Sequence, residues 1–346
     1  MKKKKLVYEK NRTILKDVLP LSVPMCISIE PSNMCNFKCT MCYHGNNEYA
    51  EEAKPLMNMD MECFYKIIND IKKFVEERGK IKVIKLYSLG EPLVHPNICE
   101  MIKCIKDADI CHEIEITTND SLLSRATAEK MVEYGLDILR VSIYSVYDDK
   151  NREITKSKIS VADIWENIKY LREYREKMNS CKPKIIAKMF ESYSKENDDF
   201  NDLYKEVADE VTIDEPFQLN SVENDVFENL YHEKAELAKS KYREGNIYVK
   251  RKACRYPFTH MTIRNDGTVI VCCSDWLKEL KIGDVKKDSL KEIWESRSLY
   301  NLRCDMLEKK GANLNACKNC EIPYRDSIED NIDDFPANKL SYIYEI

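Results

Sequence analysis

Between residues 25 and about 213 the chain alternates short β-rich runs with amphipathic stretches, and this alternation narrows the folds open to it. The spacing predicts strands over residues 25–30, 81–87, 113–117, 138–143, 184–189 and 210–213. Helices are expected over residues 59–77, 96–108, 124–134 and 161–178. The last carries Val161, Ile164, Trp165, Ile168 and Leu171 at a helical period. Repeated strand–helix units point to an α/β fold with a mostly parallel sheet and helices outside it. Six such units fall short of a closed eight-fold barrel, so the expectation is an open, partial (β/α)6 barrel.

The chain changes texture after that region. Residues 221–252 are highly charged, with helix expected over 227–242, and form a connector. From Ala253 onward cysteines cluster. Asp266-Gly267 lies between two alternating apolar runs, 261–263 and 269–271, a β-hairpin signal. A helix is expected from about Ser289. The resulting division is an N-terminal arm (1–24), the partial barrel (25–220), the connector (221–252), a small cysteine-rich domain with a hairpin and a helix (253–326), and a polar tail (327–346).

Composition supports a folded protein with a sizeable core: 43% of the 346 residues are hydrophobic, and only eight are glycine. The net charge of −5 lacks the basic surplus of a nucleic-acid binder. Lys2-Lys3-Lys4-Lys5 is followed by too short an apolar run for a signal peptide, and no run has the length of a membrane span. A cytoplasmic location is expected, with no membrane and no nucleic-acid partner. Fifteen cysteines in such a setting favour metal binding or chemistry over a disulfide framework.

Cys35, Cys39 and Cys42 follow the first strand directly, at C-x3-C-x2-C spacing. They converge on a loop at that strand's carboxyl end, the face where barrel enzymes build their sites. Thiolates are the usual protein ligands of iron–sulfur clusters, and three of them leave one iron of a four-iron cluster open. Structural zinc is the competing reading, but it wants four ligands, and His44 stands too close to Cys42 for the common spacings.

This motif resembles that of the radical S-adenosylmethionine (SAM) superfamily. The resemblance implies that the open iron chelates SAM, which is cleaved reductively to methionine and a 5′-deoxyadenosyl radical. Met41 takes the family's position near the adenine. Ser88-Leu89-Gly90-Glu91-Pro92 resembles the Gly-Gly-Glu-Pro segment that binds the SAM amino group, with Leu89 in place of the first glycine. Thr117-Thr118-Asn119 resembles the family's Thr-Asn turn. Ser142 matches a ribose-contacting position, and Lys188 stands where it can meet a carboxylate or, equally, end a strand in solvent.

Cys254, Cys272, Cys273, Cys304, Cys317 and Cys320 make a second group. Cys317-x2-Cys320 is a metal knuckle, and the hairpin can bring Cys254 to Cys272; alone, these four cysteines suit zinc or an iron–sulfur cluster equally. Cys254-x2-Pro257, the Asp266-Gly267 turn, Cys272, Ile282-Gly283-Asp284-Val285, Ser289-Leu290-x2-Ile293-Trp294 and the knuckle follow one another in that order. The order resembles the SPASM and twitch auxiliary-cluster domains. With no cysteine after Cys320, the resemblance implies the shorter twitch type, with one auxiliary four-iron cluster on Cys254, Cys272, Cys317 and Cys320.

Cys63, Cys99 and Cys104 fall in helical patterns and suit small buried side chains. His95, Tyr43, Tyr144, Glu191 and Cys111 receive no catalytic role. The resemblance implies an enzyme that removes a hydrogen atom from its substrate and passes an electron to the auxiliary cluster. The class includes an aminocyclitol dehydrogenase, so a sugar, aminocyclitol or similar metabolite is the expected substrate. A reductase, flavodoxin or ferredoxin is the expected electron donor. Peptide maturation and radical epimerisation are the alternatives. About two dozen residues before the first strand are few for a peptide-recognition domain. A zinc-bound scaffold is the non-enzymatic alternative.

Overall fold

Six parallel strands lie side by side in the reverse of their chain order, and three more strands extend the same sheet beyond the first. They are β1 (Cys26–Ile29), β2 (Ile81–Lys85), β3 (Cys111–Thr118), β4 (Ile138–Ile143), β5 (Lys184–Phe190), β6 (Glu210–Asp214), β7 (His260–Ile263), β8 (Thr268–Ile270) and β9 (Lys281–Asp284). The sheet order is β6-β5-β4-β3-β2-β1-β7-β8-β9. This computed structural model describes residues 12–45, 51, 53–216, 226–245, 252–308, 311–318, 320–325 and 327–342.

Side chains alternate across a strand, and here the two faces differ in chemistry. Ile27, Ile29, Ile84, Ile114, Ile116, Leu139, Val141 and Ile185 join the main core beneath the helices. Helices Met61–Val75, Ile98–Ala108, Arg125–Glu133 and Val161–Lys177 contribute Ile67, Ile71, Ile102, Met131, Ile164 and Ile168 to it. Ser28, Lys85, Glu115, Thr117, Arg140, Ser142 and Lys188 occupy the opposite, inner face. Parallel βα units around a polar interior make the partial barrel, as the alternation predicts.

Caps set the helix starts. Asp60 accepts the Glu62 N–H, Ser124 accepts the Thr127 N–H, and Ser160 forms a capping box with Asp163. The helix Glu196–Tyr204 and the short helix Asp148–Thr155 were absent from the expected set. The latter is polar and spans about two turns, too short to show a period. The expected single helix over 227–242 is broken. Val226–Tyr231 and Ala235–Gly245 flank a 3-10 turn where His232 has φ 48°. Residues 221–225 and 246–251 of the connector lie outside the described residues.

The cysteine-rich segment is built onto the barrel sheet. β7 pairs in parallel with β1, Cys26 opposite His260 and Ile29 opposite Ile263. The hairpin then turns at Gly267, φ 91°, with Thr262 opposite Ile270. Arg264 in the turn donates to Glu30 at 2.7 Å, and both side chains are buried. Residues assigned to the arm and the tail meet in a second core: Leu15 and Leu19 pack with Phe258, Met306, Ile332, Phe335 and Leu340.

Candidate functional site

The first cysteine loop is fixed from several sides. The Cys42 N–H donates to the Cys39 carbonyl at 3.0 Å, and the Gly45 N–H to the Cys42 carbonyl at 2.9 Å. Lys38 and Thr40 donate backbone bonds to Thr155 and Ile154 of the short helix. Phe37, Cys39 and Met41 are buried in a small core with Ile154, Val226 and Leu230. Gly45 has a steric reason: a Cβ there would lie 2.2 Å from the Cys39 carbonyl oxygen.

The three thiols act on one another electrostatically. Burial pushes the Cys35 thiol up to about 12, and it raises Cys39 and Cys42 as well, with the neighbouring cysteines adding to the effect on Cys35 and Cys39. Thiolates gathered in such a place need cationic compensation, which iron supplies. Tyr144 lies against Cys39 and near Cys35 and Cys42.

The loops after β2 and β3 lock onto this one. Glu91 is buried, and its Oε1 accepts the Thr118 hydroxyl at 2.6 Å and the Leu93 N–H at 3.0 Å. Its Oε2 accepts the Asn119 N–H at 2.8 Å. A carboxylate has about four acceptor positions, which leaves one on Oε2. Burial pushes the Glu91 carboxyl up, and those three hydrogen bonds oppose it. Asn119 Nδ2 donates to Asn36 Oδ1 at 3.0 Å, inside the cysteine loop. Gly90 passes so close to β1's exit that a Cβ would lie 2.0 Å from the Ser32 carbonyl oxygen. Leu89 has room for its side chain beside Tyr43 and Trp276, so the departure from the family's first glycine falls where space allows it. Pro92 starts a 3-10 turn capped by Glu91.

On the inner face Ser142 stands in register with Lys188, and Lys188 with Thr212. Lys188 is engaged by a protein carboxylate, Asp214 of β6, at 3.1 Å. Buried hydroxyl oxygens of Ser88, Thr117 and Thr212 have no hydrogen-bond partner among the described residues. Buried polar groups are usually paired, so these three suit a polar ligand in the barrel mouth. The donor set fits the groups this arrangement implies: three thiols on one loop for a cluster, and orphaned hydroxyls with one open carboxylate position for SAM.

The second cysteine group gathers around the hairpin's exit. Cys254 and Cys272 are electrostatic neighbours, as are Cys317 and Cys320. The Cys320 N–H donates to the Cys317 carbonyl at 3.1 Å, closing the knuckle. Cys273 is hydrogen-bonded to Cys272 and also interacts with Lys85 and Tyr256. Among the described residues no three His, Cys, Asp or Glu side chains converge on a single metal ion. A four-iron cluster takes each thiolate on a different iron. Burial raises the Cys317 thiol to about 12.

Several other residues have structural partners. His95 Nε2 is bonded to the Met59 carbonyl at 2.9 Å. Cys63, Cys99, Cys104 and Cys111 pack at the edge of the main core. Glu191 accepts from the Tyr193 N–H at 2.8 Å and from Asn197. The sequence reading passed over Asn36, Gly45, Glu30 and Trp276. Asn36, Glu30 and Trp276 work through contacts distant in sequence, which no local spacing signals, and Gly45 through the turn back to Cys39.

The radical SAM superfamily profile matches residues 29–181, and the SPASM iron–sulfur cluster-binding domain matches residues 254–321. The chain is 31% identical over 157 residues to the tungsten-containing aldehyde ferredoxin oxidoreductase cofactor-modifying protein of Pyrococcus furiosus, covering 45% of this chain and 41% of that protein. It is 35% identical over 128 residues to the GTP 3′,8-cyclase of Alkaliphilus oremlandii, covering 37% of each. The chain thus spans less than half the length of these relatives. Its fold is similar to that of Streptococcus suis SuiB bound to precursor peptide SuiA, with TM-score 0.61 at 16% identity over 92% of this chain and 77% of that one. It is also similar to BtrN in complex with AdoMet and 2-DOIA, with TM-score 0.54 at 14% identity over 91% and 98%. These domains imply SAM, its four-iron cluster and auxiliary iron–sulfur ligation. The chain carries a radical SAM domain and, C-terminal to it, a SPASM iron–sulfur cluster-binding domain.

Proposed function

We propose that Cys35, Cys39 and Cys42 hold the SAM-binding cluster, that Cys254, Cys272, Cys317 and Cys320 hold one auxiliary cluster, and that the chain is an oxidoreductase of a small polar metabolite. When bound, SAM on its cluster supplies hydrogen-atom abstraction, and a fully thiolate-ligated auxiliary cluster supplies a one-electron acceptor. The chain's own residues bind and orient. Glu91 offers its remaining acceptor position to the SAM ammonium. Thr117, Ser142 and the turn at Asn119 would hold the sugar, Met41 would back the adenine, and Gly90-Glu91-Pro92 carries the turn beside them. Lys188, held by Asp214, orients the far side of the same mouth.

The observation that carries this reading is the proximity of the two cysteine groups. Tyr43 follows Cys42 and bonds to the Ser274 carbonyl, two residues beyond Cys272. The two groups thus meet at one contact, and we place the substrate in the polar interior beside it. Cys273, on the inner side with Lys85 and Tyr256, is left to the interior.

Peptide modification is the second reading. It is favoured by the fold likeness to SuiB, solved with precursor peptide SuiA, and to anSMEcpe, solved with AdoMet and the Cp18Cys peptide. One experiment separates the outcomes. Reduced, cluster-loaded protein is incubated with SAM and candidate polyols, aminocyclitols or peptides in deuterated water, and products are weighed by mass spectrometry. Dehydrogenation gives a metabolite lighter by two hydrogens. Epimerisation gives an isomer carrying one solvent deuterium. Turnover of peptides alone would reject the small-metabolite reading.

A further inference from the structure

Tyr43 belongs to both cysteine groups. Its backbone continues the first loop directly after Cys42. Its ring stacks on Trp276, with centroids 5.8 Å apart and planes inclined by 28°. Its hydroxyl donates to the Ser274 carbonyl at 3.2 Å. Ser274 and Trp276 lie two and four residues beyond Cys272. Both rings are buried, 5% and 3% exposed, and Cys42, Leu89 and Leu277 pack around them. Cys42, Cys272, Cys273 and Cys320 all act electrostatically on the Tyr43 hydroxyl.

The contact continues toward the SAM loop. His44 Nε2 bonds to the Leu89 carbonyl at 3.2 Å, and Leu89 precedes Gly90-Glu91. The Leu89 N–H is held by Glu30 at 3.1 Å, the same carboxylate that takes Arg264 of the hairpin turn. A displacement of residues 272–277 thus meets a close-packed aromatic pair and reaches the third cysteine of the first loop and the turn before Glu91. Close-packed interiors transmit such displacements instead of absorbing them.

We propose that Tyr43 and Trp276 are positioning residues that couple the auxiliary cysteine site to SAM binding: an intact auxiliary site holds residues 272–277 in place, and the aromatic pair carries that order to Cys42 and the Glu91 turn. The inference rests on the ligand assignment proposed above. A plain packing role predicts that loss of the pair lowers stability and nothing else. Coupling predicts that loss of the pair makes the two sites independent.

The test is a double-mutant cycle on anaerobically reconstituted full-length protein. The variants are Cys317→Ala, Tyr43→Leu and their combination. Cys317 belongs neither to the first cysteine loop nor to residues 272–277, so an effect on SAM is read as passing through the auxiliary site. SAM affinity is measured by equilibrium dialysis, and the SAM-induced change in the paramagnetic spectrum of the reduced first cluster is recorded alongside. In the wild-type background Cys317→Ala is expected to weaken SAM binding by about tenfold, within the usual span of site–site coupling. In the Tyr43→Leu background the same change is expected to cost less than about twofold. Equal effects in both backgrounds, or no effect of Cys317→Ala in the first, would overturn the proposal. If Tyr43→Leu does not fold, Trp276→Leu, which removes the other ring of the pair, takes its place with the same two outcomes. Wild-type protein that lacks iron or binds no SAM contradicts the ligand assignment itself, and this is read before any variant is made.

Discussion

Glu91 Oε2 accepts the backbone N–H of Asn119 at 2.8 Å, joining the loops that follow β2 and β3. With the Thr118 hydroxyl on Oε1, this carboxylate is the knot of the SAM-side turn. Glu91→Gln places an amide NH2 or a neutral oxygen against these donors. Lost hydrogen bonds to a charged group cost about 1.5–3 kcal/mol, so SAM affinity is expected to fall by about tenfold or more. Iron content should stay unchanged. Equilibrium dialysis with labelled SAM checks this, and unchanged affinity would contradict the role given to Glu91.

Gly90 and Leu89 are expected to respond in opposite ways. Gly90→Ala drives a Cβ to within 2.0 Å of the Ser32 carbonyl and 2.7 Å of the Met34 carbonyl, both of them backbone atoms. Overpacking of this kind costs about 1–3 kcal/mol. Leu89→Gly restores the family's first glycine and removes only a side chain. Denaturant unfolding should show a clear loss for the first variant, while SAM binding should survive the second.

The two cysteines after the hairpin should separate by metal content. The two thiols are hydrogen-bonded to each other, but Cys272 also neighbours Cys254, whereas Cys273 also meets Lys85 and Tyr256. Cys272→Ser is expected to remove about half of the iron bound by a protein with two four-iron clusters, and Cys273→Ser to leave it in place. Iron and sulfide analysis of both variants decides between them.

Stability should decline on mild acidification. Burial holds His95 and His260 below the ordinary histidine range, and Arg255 and Lys85 push His260 further down. His260 stays neutral in the folded state, and His95 takes up its proton at lower pH than in the unfolded chain, which protonates below about pH 6.5. Their contribution is therefore present above that pH and lost as pH falls, by at most about 1.4 kcal/mol each at pH 5.5. Denaturation midpoints of the loaded protein at pH 7.5 and 5.5 measure the slope. His95→Gln should flatten it, and an equal slope in the variant would contradict this assignment.

The strands were legible because each alternates or runs apolar between helical stretches. Residues 138–143 form β4 without a shift, and the ends of the others moved by a few residues. The cysteine loop and the knuckle stood out because their cysteines lie close together in sequence, whereas the Gly-Glu-Pro turn was visible only through its resemblance to the family's segment. The parallel pairing of β1 with β7 was not, since a strand's pattern names its buried face and not its partner. For the same reason the tail's Ile332, Phe335 and Leu340 looked merely scattered in a polar segment until Leu15 and Phe258 were placed beside them. Lys188 was undecided between ligand and solvent, and its partner Asp214 comes from the neighbouring strand.

The central claim is that two thiolate-bound clusters, one of them open to SAM, sit in this chain. The most direct measurement is 5′-deoxyadenosine formation from SAM under dithionite by anaerobically reconstituted protein, with iron and sulfide counted on the same sample. About eight irons and eight sulfides per chain are expected, with 5′-deoxyadenosine accumulating. The triple variant Cys35→Ala, Cys39→Ala, Cys42→Ala should drop to about four of each and form none. Protein that holds mainly zinc, or a triple variant that still cleaves SAM, would contradict the account.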